Sequence, residues 1–357
     1  MGKGTDNSGE GAPFTEVLEI TVDAGQMPER IDKFLVGKLP QTSRTRIRNA
    51  ADAGALKVNE KVVKVNYKVR PGDQIALSIP RYHEDYVIEP EEIPLDVVYE
   101  DNHLIVINKQ AGLVVHPGSG NYTGTLVHGL LHHFGADADP ELDSERPGLV
   151  HRLDKDTTGL MVIGKTVQAT EHLSKQFHDR TTERRYKSLV WGDFAEKSGT
   201  IDAWIGRHPR HRIQQAAFPD GDQGKHAVTH YEVEQALGYV SLIRCKLETG
   251  RMHQIRVHLA HIGHPVFGDA LYGGDRIRKG TLYTKYKQFA TNLFKILPRQ
   301  ALHAEMLGFE HPDSGERMRF EAPLPEDFAT VLERWRVYMG ALTTRGDAPD
   351  GTESEEA

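Results

Sequence analysis

The chain has 357 residues, one cysteine, Cys245, and a formal net charge of −7. This length suits two compact units with tails. A single cysteine excludes a disulfide framework and any zinc site built on paired thiolates, which fits a reducing cytoplasm. No run approaches the roughly 20 apolar residues of a membrane span, and the polar, glycine-rich start from Met1 to Pro13 lacks the pattern of a signal peptide, so a soluble protein without membrane contact is expected. A monomer is expected as well.

The charge is unevenly placed. Asp347, Asp350, Glu353, Glu355 and Glu356 crowd the last twelve residues without a base and leave the remainder nearly neutral. From Pro28 to Arg70, eleven Lys and Arg stand against four acids. Such a stretch is either a solvated helix face or a surface for a polyanion.

Taken in chain order, Leu18, Ile20 and Val22 alternate as in a strand, and Pro28 opens a helical stripe of Ile31, Phe34, Leu35 and Leu39 that Pro40 stops. Thr42 or Ser43 is placed to cap a second helix, where Arg44, Arg46 and Arg48 surround Ile47, Ala50 and Ala51 before Gly54. Leu56 and Val58 begin a short strand, and Ile75, Leu77 and Ile79 alternate up to Pro80. Residues 16–80 thus form a small α/β module after a disordered tail at 1–15. The acidic, proline-bearing stretch 81–94 reads as an extended linker.

A second domain is expected over 95–340. Leu104 to Ile107 forms an apolar strand; Leu126, Leu130 and Phe134 mark one helix; Ala169, Leu173 and Phe177 mark another behind the cap Thr166. Strand patterns follow at Tyr186 to Trp191, Ala227 to Val233 and Val240 to Leu247. Without a regular strand-helix repeat, the fold class is α+β with a mixed, largely antiparallel sheet. The stretch Arg276 to Pro298 reads as an insertion of unassigned shape. Residues 341–357 read as an acidic disordered tail.

Between Gly148 to His151 and the apolar run Leu160 to Ile163 lies a polar turn in which Arg152 and Lys155 flank Asp154. Neighbouring cations favour an ionised carboxylate, which in a pocket can act as a nucleophile. Taken alone, Asp154, Asp156, Thr157, Thr158 and Gly159 are also simply good turn formers. Arg256 borders a helical stripe of Ile255, Leu259 and Ile262, where a buried guanidinium needs an acidic partner.

The segment from Gly148 to Thr166, with His151-Arg152-Leu153-Asp154 at its centre, resembles the signature of the RluA/RluD family of ribosomal RNA pseudouridine synthases. The likeness continues through Arg184-Arg185-Tyr186, Gly206-Arg207-His208-Pro209, Leu247 to Leu259, Gly263 to Asp269 and Arg299 to Ala304. It spans about Leu95 to Glu326 in collinear order. It implies a catalytic domain with a central cleft that isomerises uridines in RNA, most closely the large-subunit (23S) ribosomal RNA branch, with no cofactor and no metal. Asp154 would be the catalytic aspartate, Tyr186 would pack on the target base, and Arg256 would pair with Asp154. His151 and Arg152 would contact RNA, Arg152 filling the space left by a flipped uridine. The module at 16–80 resembles the RNA-binding domain named after ribosomal small-subunit protein S-four, which implies phosphate contacts for Arg44, Arg46, Arg48 and Lys57. Two positions depart from that pattern: Ala50-Ala51 replaces bulkier aliphatics, and Glu60 stands where a glycine is common. Two other readings compete. The cluster His253, His258, His261 and His264 suggests a metal-dependent hydrolase or nuclease, although Gly263 and Pro265 break the helical spacing. The basic module alone would suit a non-catalytic RNA-binding factor.

Overall fold

A computed structural model describes residues 14–39, 44–81, 88–118, 120–135, 139–143, 145–211, 213–281 and 283–345. The chain divides into two compact units, Met1–Val87 and Ile88–Ala357.

The first unit holds β1 (Phe14–Thr21), α1 (Ile31–Lys38), α2 (Arg44–Asp52), β2 (Leu56–Val58), β3 (Lys61–Val62) and β4 (Gln74–Arg81). Its sheet has the order β1-β4-β2-β3. Ile31, Phe34 and Leu35 of α1 and Ile47, Ala50 and Ala51 of α2 close over Leu56, Val58, Ile75 and Leu77, as the helical and strand periods require. Strand β1 starts two residues inside the expected tail because Phe14 and Thr15 pair with Arg81 and Pro80, which also carries β4 past its expected stop. The proposed caps Thr42 and Ser43 lie outside the described residues, as do 1–13 of the N-terminal tail and 82–87 of the linker.

Asn59 and Glu60 connect β2 to β3 with φ of 47° and 67°. Two central residues at positive φ make the tight hairpin turn that favours Asn-Gly, so the unusual Glu60 occupies a position where a β-carbon is strained. Glu60→Gly is expected to stabilise this unit by about 0.5–1 kcal/mol, because relief of left-handed strain exceeds the added chain entropy. A chemical denaturation midpoint unchanged or lowered by the substitution would contradict this.

In the second unit the order is β5 (Val97–Glu100), β6 (Leu104–Lys109), α3 (Leu126–Phe134), β7 (Thr158–Gly164), α4 (Val167–Asp179), β8 (Glu183–Trp191), β9 (Ser198–Arg207), β10 (Gln215–Phe218), β11 (Lys225–Ala236), β12 (Val240–Leu247), α5 (Gln254–His261), α6 (Thr284–Ile296), β13 (Leu302–Glu310), β14 (Arg317–Glu321) and α7 (Glu326–Arg345). The strands form one sheet in the order β10-β9-β11-β12-β8-β13-β7-β6-β5, with β14 on β13. Pairing is antiparallel except between β13 and β7. The unit is therefore α+β, as the irregular order of elements predicts.

Alternation along β6 and β7 separates the two faces. Ile105, Ile107, Met161 and Ile163 enter the large core, and Leu104, Val106, Leu160 and Val162 enter a smaller one that α4 covers with Leu173. Thr166 caps α4 by accepting from the Ala169 amide at 3.2 Å. The stretch Arg276 to Pro298 contains α6, whose Tyr286, Ala290 and Leu293 are buried at helical spacing. Helix α7 places Phe328, Val331, Leu332, Trp335 and Met339 against the large core. It runs to Arg345, past position 341 where the tail is expected to begin, and Leu342 packs on that core. Residues 346–357 lie outside the described residues. No helix among the described residues is long and apolar enough to cross a membrane.

Candidate active site

The site forms where the loop entering β7, the strand β8 and the helix α5 meet. Gly159, at φ 115°, lets the backbone of β7 approach Ala304 of β13 too closely for any β-carbon. This contact fixes where the loop His151 to Asp156 leaves the sheet.

Four buried side chains then hold that loop. Lys109 is 1% exposed, and its Nζ donates to the carbonyls of Gln110, Leu113 and Lys155, each at 2.9 Å. Arg299 donates to the carbonyl of Asp156 at 3.0 Å while it is held by both carboxylate oxygens of Asp327. Gln300 donates to Thr157 Oγ1 at 3.1 Å. Arg256 donates from Nη1 to Asp154 Oδ2 at 2.9 Å. Burial brings the Lys109 ammonium down to about 7, against the charges of Asp156 and Asp154 that raise it. Lys109→Met would leave three carbonyls short of a donor, an expected loss of about 2–4 kcal/mol, and would loosen the loop enough to cut turnover on the order of 100-fold. Calorimetry with single-turnover kinetics checks both numbers; a stable, fully active variant would show that the loop needs no such anchor.

The Arg256 guanidinium spans two carboxylates. Its Nε and Nη2 donate to Asp269 at 2.6 and 2.9 Å, and its plane lies over the Tyr272 ring, 5.1 Å from the centroid. Asp269 is fully buried and also accepts from the amides of Leu271 and Tyr272. Burial works against the charge of Arg256, but the bonds to Asp269 and the nearby Asp154 outweigh it and push the guanidinium pKa upward. Helix α5 is itself seated by Gln254, which bonds Thr249, Arg251, Val228 and Thr229. Asp154 keeps 20% side-chain exposure, and His253 Nε2 lies 3.9 Å from its Oδ1.

A cleft of about 610 Å³ opens on Asp154, with Tyr186, Arg184 and Arg152 in its walls. A second hollow of about 700 Å³ reaches Asp154 from the side of His116 and Gln300. These volumes suit a ligand of nucleotide size. Tyr186, on β8, is 8% exposed. Burial raises its phenol pKa; the charge of Arg184 lowers it and that of Asp154 raises it. Arg152 is exposed at the mouth.

His151 is held from two sides. Its Nε2 accepts the Val162 amide at 3.1 Å and its ring stacks on Phe177 at 4.5 Å. Burial, and secondarily the charge of Arg184, bring its pKa down to about 3. Its ring is thus braced against β7 and also lines the cleft. Of the grouped histidines, three have separate partners: His258 bonds Thr229, His264 bonds the Trp191 carbonyl, and His253 bonds Tyr272. Among the described residues no group of three or more His, Cys, Asp or Glu is placed to hold a metal ion. In the first unit Arg44, Arg48 and Lys57 are exposed; the side chain of Arg46 lies outside the described residues.

These buried histidines give the fold a pH dependence. Burial is again the main cause of the lowered pKa of His258, to about 4. In the unfolded chain an imidazole binds its proton near 6.5, whereas His151 and His258 bind theirs in the fold only near 3 and 4. Between those values the unfolded chain holds more protons, so stability falls as pH falls from 6.5 towards 4. The thermal midpoint should drop over this range, and His151→Gln should flatten the slope; equal slopes for the two proteins would contradict the assignment.

Comparison with known proteins decides what this geometry belongs to. The family model for RNA pseudouridylate synthase matches residues 103–261, and that for the S4 domain matches 29–75. A Chlorobaculum parvum protein named as an uncharacterized RNA pseudouridine synthase is 47% identical over 328 residues, 91% of this chain and 99% of its own. The chain belongs to the RNA pseudouridine synthase family.

The ribosomal large subunit pseudouridine synthase D of Escherichia coli strain K12 is 44% identical over 321 residues, 89% of this synthase and 94% of that protein. In solved structures, the human RNA pseudouridylate synthase domain containing 4 superposes with a TM-score of 0.50 at 25% identity, covering 67% of this synthase and 92% of that chain. This synthase is an RNA-modifying isomerase, which sets aside the hydrolase reading and the reading as a binding factor alone. Asp269, Lys109 and Arg299 escaped the sequence reading as parts of the site. Asp269 stands in a glycine-flanked turn, and the polar partners of Lys109 and Arg299 are as far as 46 and 143 residues away.

Proposed function

We propose that this synthase isomerises uridines of large-subunit (23S) ribosomal RNA in the cytoplasm, as a monomer, with Asp154 as its catalytic carboxylate. The observation that carries the reading is the chain Asp269, Arg256, Asp154 at the floor of a cleft walled by Tyr186. Relatives named ribosomal large subunit pseudouridine synthase D, from Nitrosomonas europaea and Escherichia coli, support the choice of RNA.

A uridine must leave the RNA stack to reach Asp154, at a cost of a few kcal/mol that is lowest in unpaired regions. Arg152, exposed at the mouth, would occupy the vacated space. Tyr186 would pack on the uracil, with its hydroxyl towards the reacting ring. The bond between ribose and ring nitrogen 1 breaks, the ring turns, and a bond from ribose to ring carbon 5 forms. Carbon 5 loses a proton and nitrogen 1 gains one, so composition is unchanged. An ionised Asp154 serves this by attack on ribose, by attack on the ring, or by stabilising charge during sugar elimination; Arg256 keeps it oriented. Arg44, Arg46, Arg48 and Lys57 would add phosphate contacts that give affinity and salt dependence.

Mapping pseudouridines in cells lacking the gene, and in the same cells carrying the wild-type or Asp154→Asn gene, tests this. Sites in large-subunit RNA should vanish on deletion and return with the wild type alone. Loss confined to another RNA would overturn the choice of substrate.

A further inference from the structure

Arg184 stands out among the cations of the cleft. It precedes Tyr186 by two positions on β8, so both side chains leave the same face of the strand. Its guanidinium lies over Phe177, 5.4 Å from the ring centroid. Its Nε is buried without a hydrogen-bond partner, and among the described residues no carboxylate pairs with it. Neighbouring arginines are different. Arg185 pairs with Glu183 at 2.7 Å, Arg256 with Asp269 and Asp154, and Arg299 with Asp327. The carboxylates of the cleft are also committed, Asp154 to Arg256 and Glu248 to His230 at 2.7 Å. Gly250 lies close against Nη1, where a β-carbon would come within 3.2 Å, and Arg184, Tyr186 and Gly250 all line the cleft. The guanidinium is therefore an unpaired cation in the wall of the cleft beside Tyr186.

A partly buried cation without an anion is costly, and a planar guanidinium fits phosphate oxygens with paired hydrogen bonds. We infer that Arg184 binds the phosphodiester adjoining the target uridine and so sets the depth at which the nucleotide enters the cleft. It is a positioning residue, and the reacting atoms remain with Asp154 and Tyr186. Arg180, exposed at the left-handed end of α4, lines the same cleft.

The inference rests on the proposed role of Asp154 in the same cleft. Its test uses the full-length synthase and a stem-loop RNA that it modifies, made also with a single methylphosphonate on the 5′ or the 3′ side of the target uridine. Arg184→Gln should raise KM about ten- to a hundredfold with kcat within a few-fold, and lower the salt slope of binding by about one. Arg184→Lys should recover part of the affinity. One of the two neutral linkages should weaken wild-type binding by a similar factor and leave Arg184→Gln binding unchanged. Additive losses at both linkages, or a fall in kcat at unchanged KM, would overturn the inference. If Arg184→Gln does not fold, wild-type binding that ignores both linkages would overturn it equally. In an Asp154→Asn background the linkage effect on Kd should persist without turnover. Turnover there would sink the role of Asp154, whereas an absent linkage effect in an inactive variant would sink only the phosphate contact.

Discussion

Asp269→Asn should cost this synthase most of its turnover and about 3–5 kcal/mol of stability, because removal of one member of a buried ion pair leaves the other uncompensated. Asp269 accepts two bonds from Arg256 and two from backbone amides, and it is fully buried. An asparagine keeps one acceptor oxygen but turns an amide group towards a guanidinium that only donates. Arg256 would then depend on Asp154 for its sole remaining carboxylate, and nothing would set the angle of that bond. Loss of orientation on the scale of 1 Å costs on the order of 100-fold in rate. Denaturant unfolding and single-turnover kinetics on the same preparation read both effects. Stability and rate within error of wild type would show that Arg256 is positioned by other means. Arg256→Lys should fail similarly, since an ammonium cannot span two carboxylates as a planar fork does.

Much of the site was legible because its residues lie in long collinear segments. Tyr186 and Arg256 follow Asp154 by 32 and 102 positions, and all three meet at one cleft. The charge balance of Arg256 was only half legible. Burial beside an apolar stripe called for an acid, and Asp154 was the one expected; Asp269, in a turn without periodicity, supplies the stronger, doubly bonded partner. His151 has a further bond that the loop does not announce. The family resemblance implies an RNA contact for it, and the return of β7 in addition puts the Val162 amide against its ring nitrogen. Such pairing depends on register, which no local pattern in the loop encodes.

In the fold, helices with strong apolar spacing were plain: α1, α3 and α4 all appear where their stripes place them. Helix α6 carried the same signal in Tyr286, Ala290 and Leu293, and polar residues between them masked it. The left-handed turn at Glu60 explains why a glycine is common there. The anchors Lys109 and Arg299 could not be read from sequence, because each satisfies backbone carbonyls brought near only by the finished sheet.

The central claim is that one ionised carboxylate, held by Arg256, performs the isomerisation. Asp154→Asn removes that charge while keeping the volume of the side chain and one oxygen for the 2.9 Å contact with Arg256. Asp154 is partly exposed at the cleft and lies outside the buried Asp269 pair, so the exchange should leave the fold intact. Covalent attack and charge stabilisation both need the negative oxygen, so either route fails without it. The direct measurement is a single-turnover assay of pseudouridine formation alongside RNA binding by the same protein. The account predicts that Asp154→Asn binds RNA within a few-fold of wild type and forms no detectable pseudouridine; pseudouridine formed at a wild-type rate would contradict it.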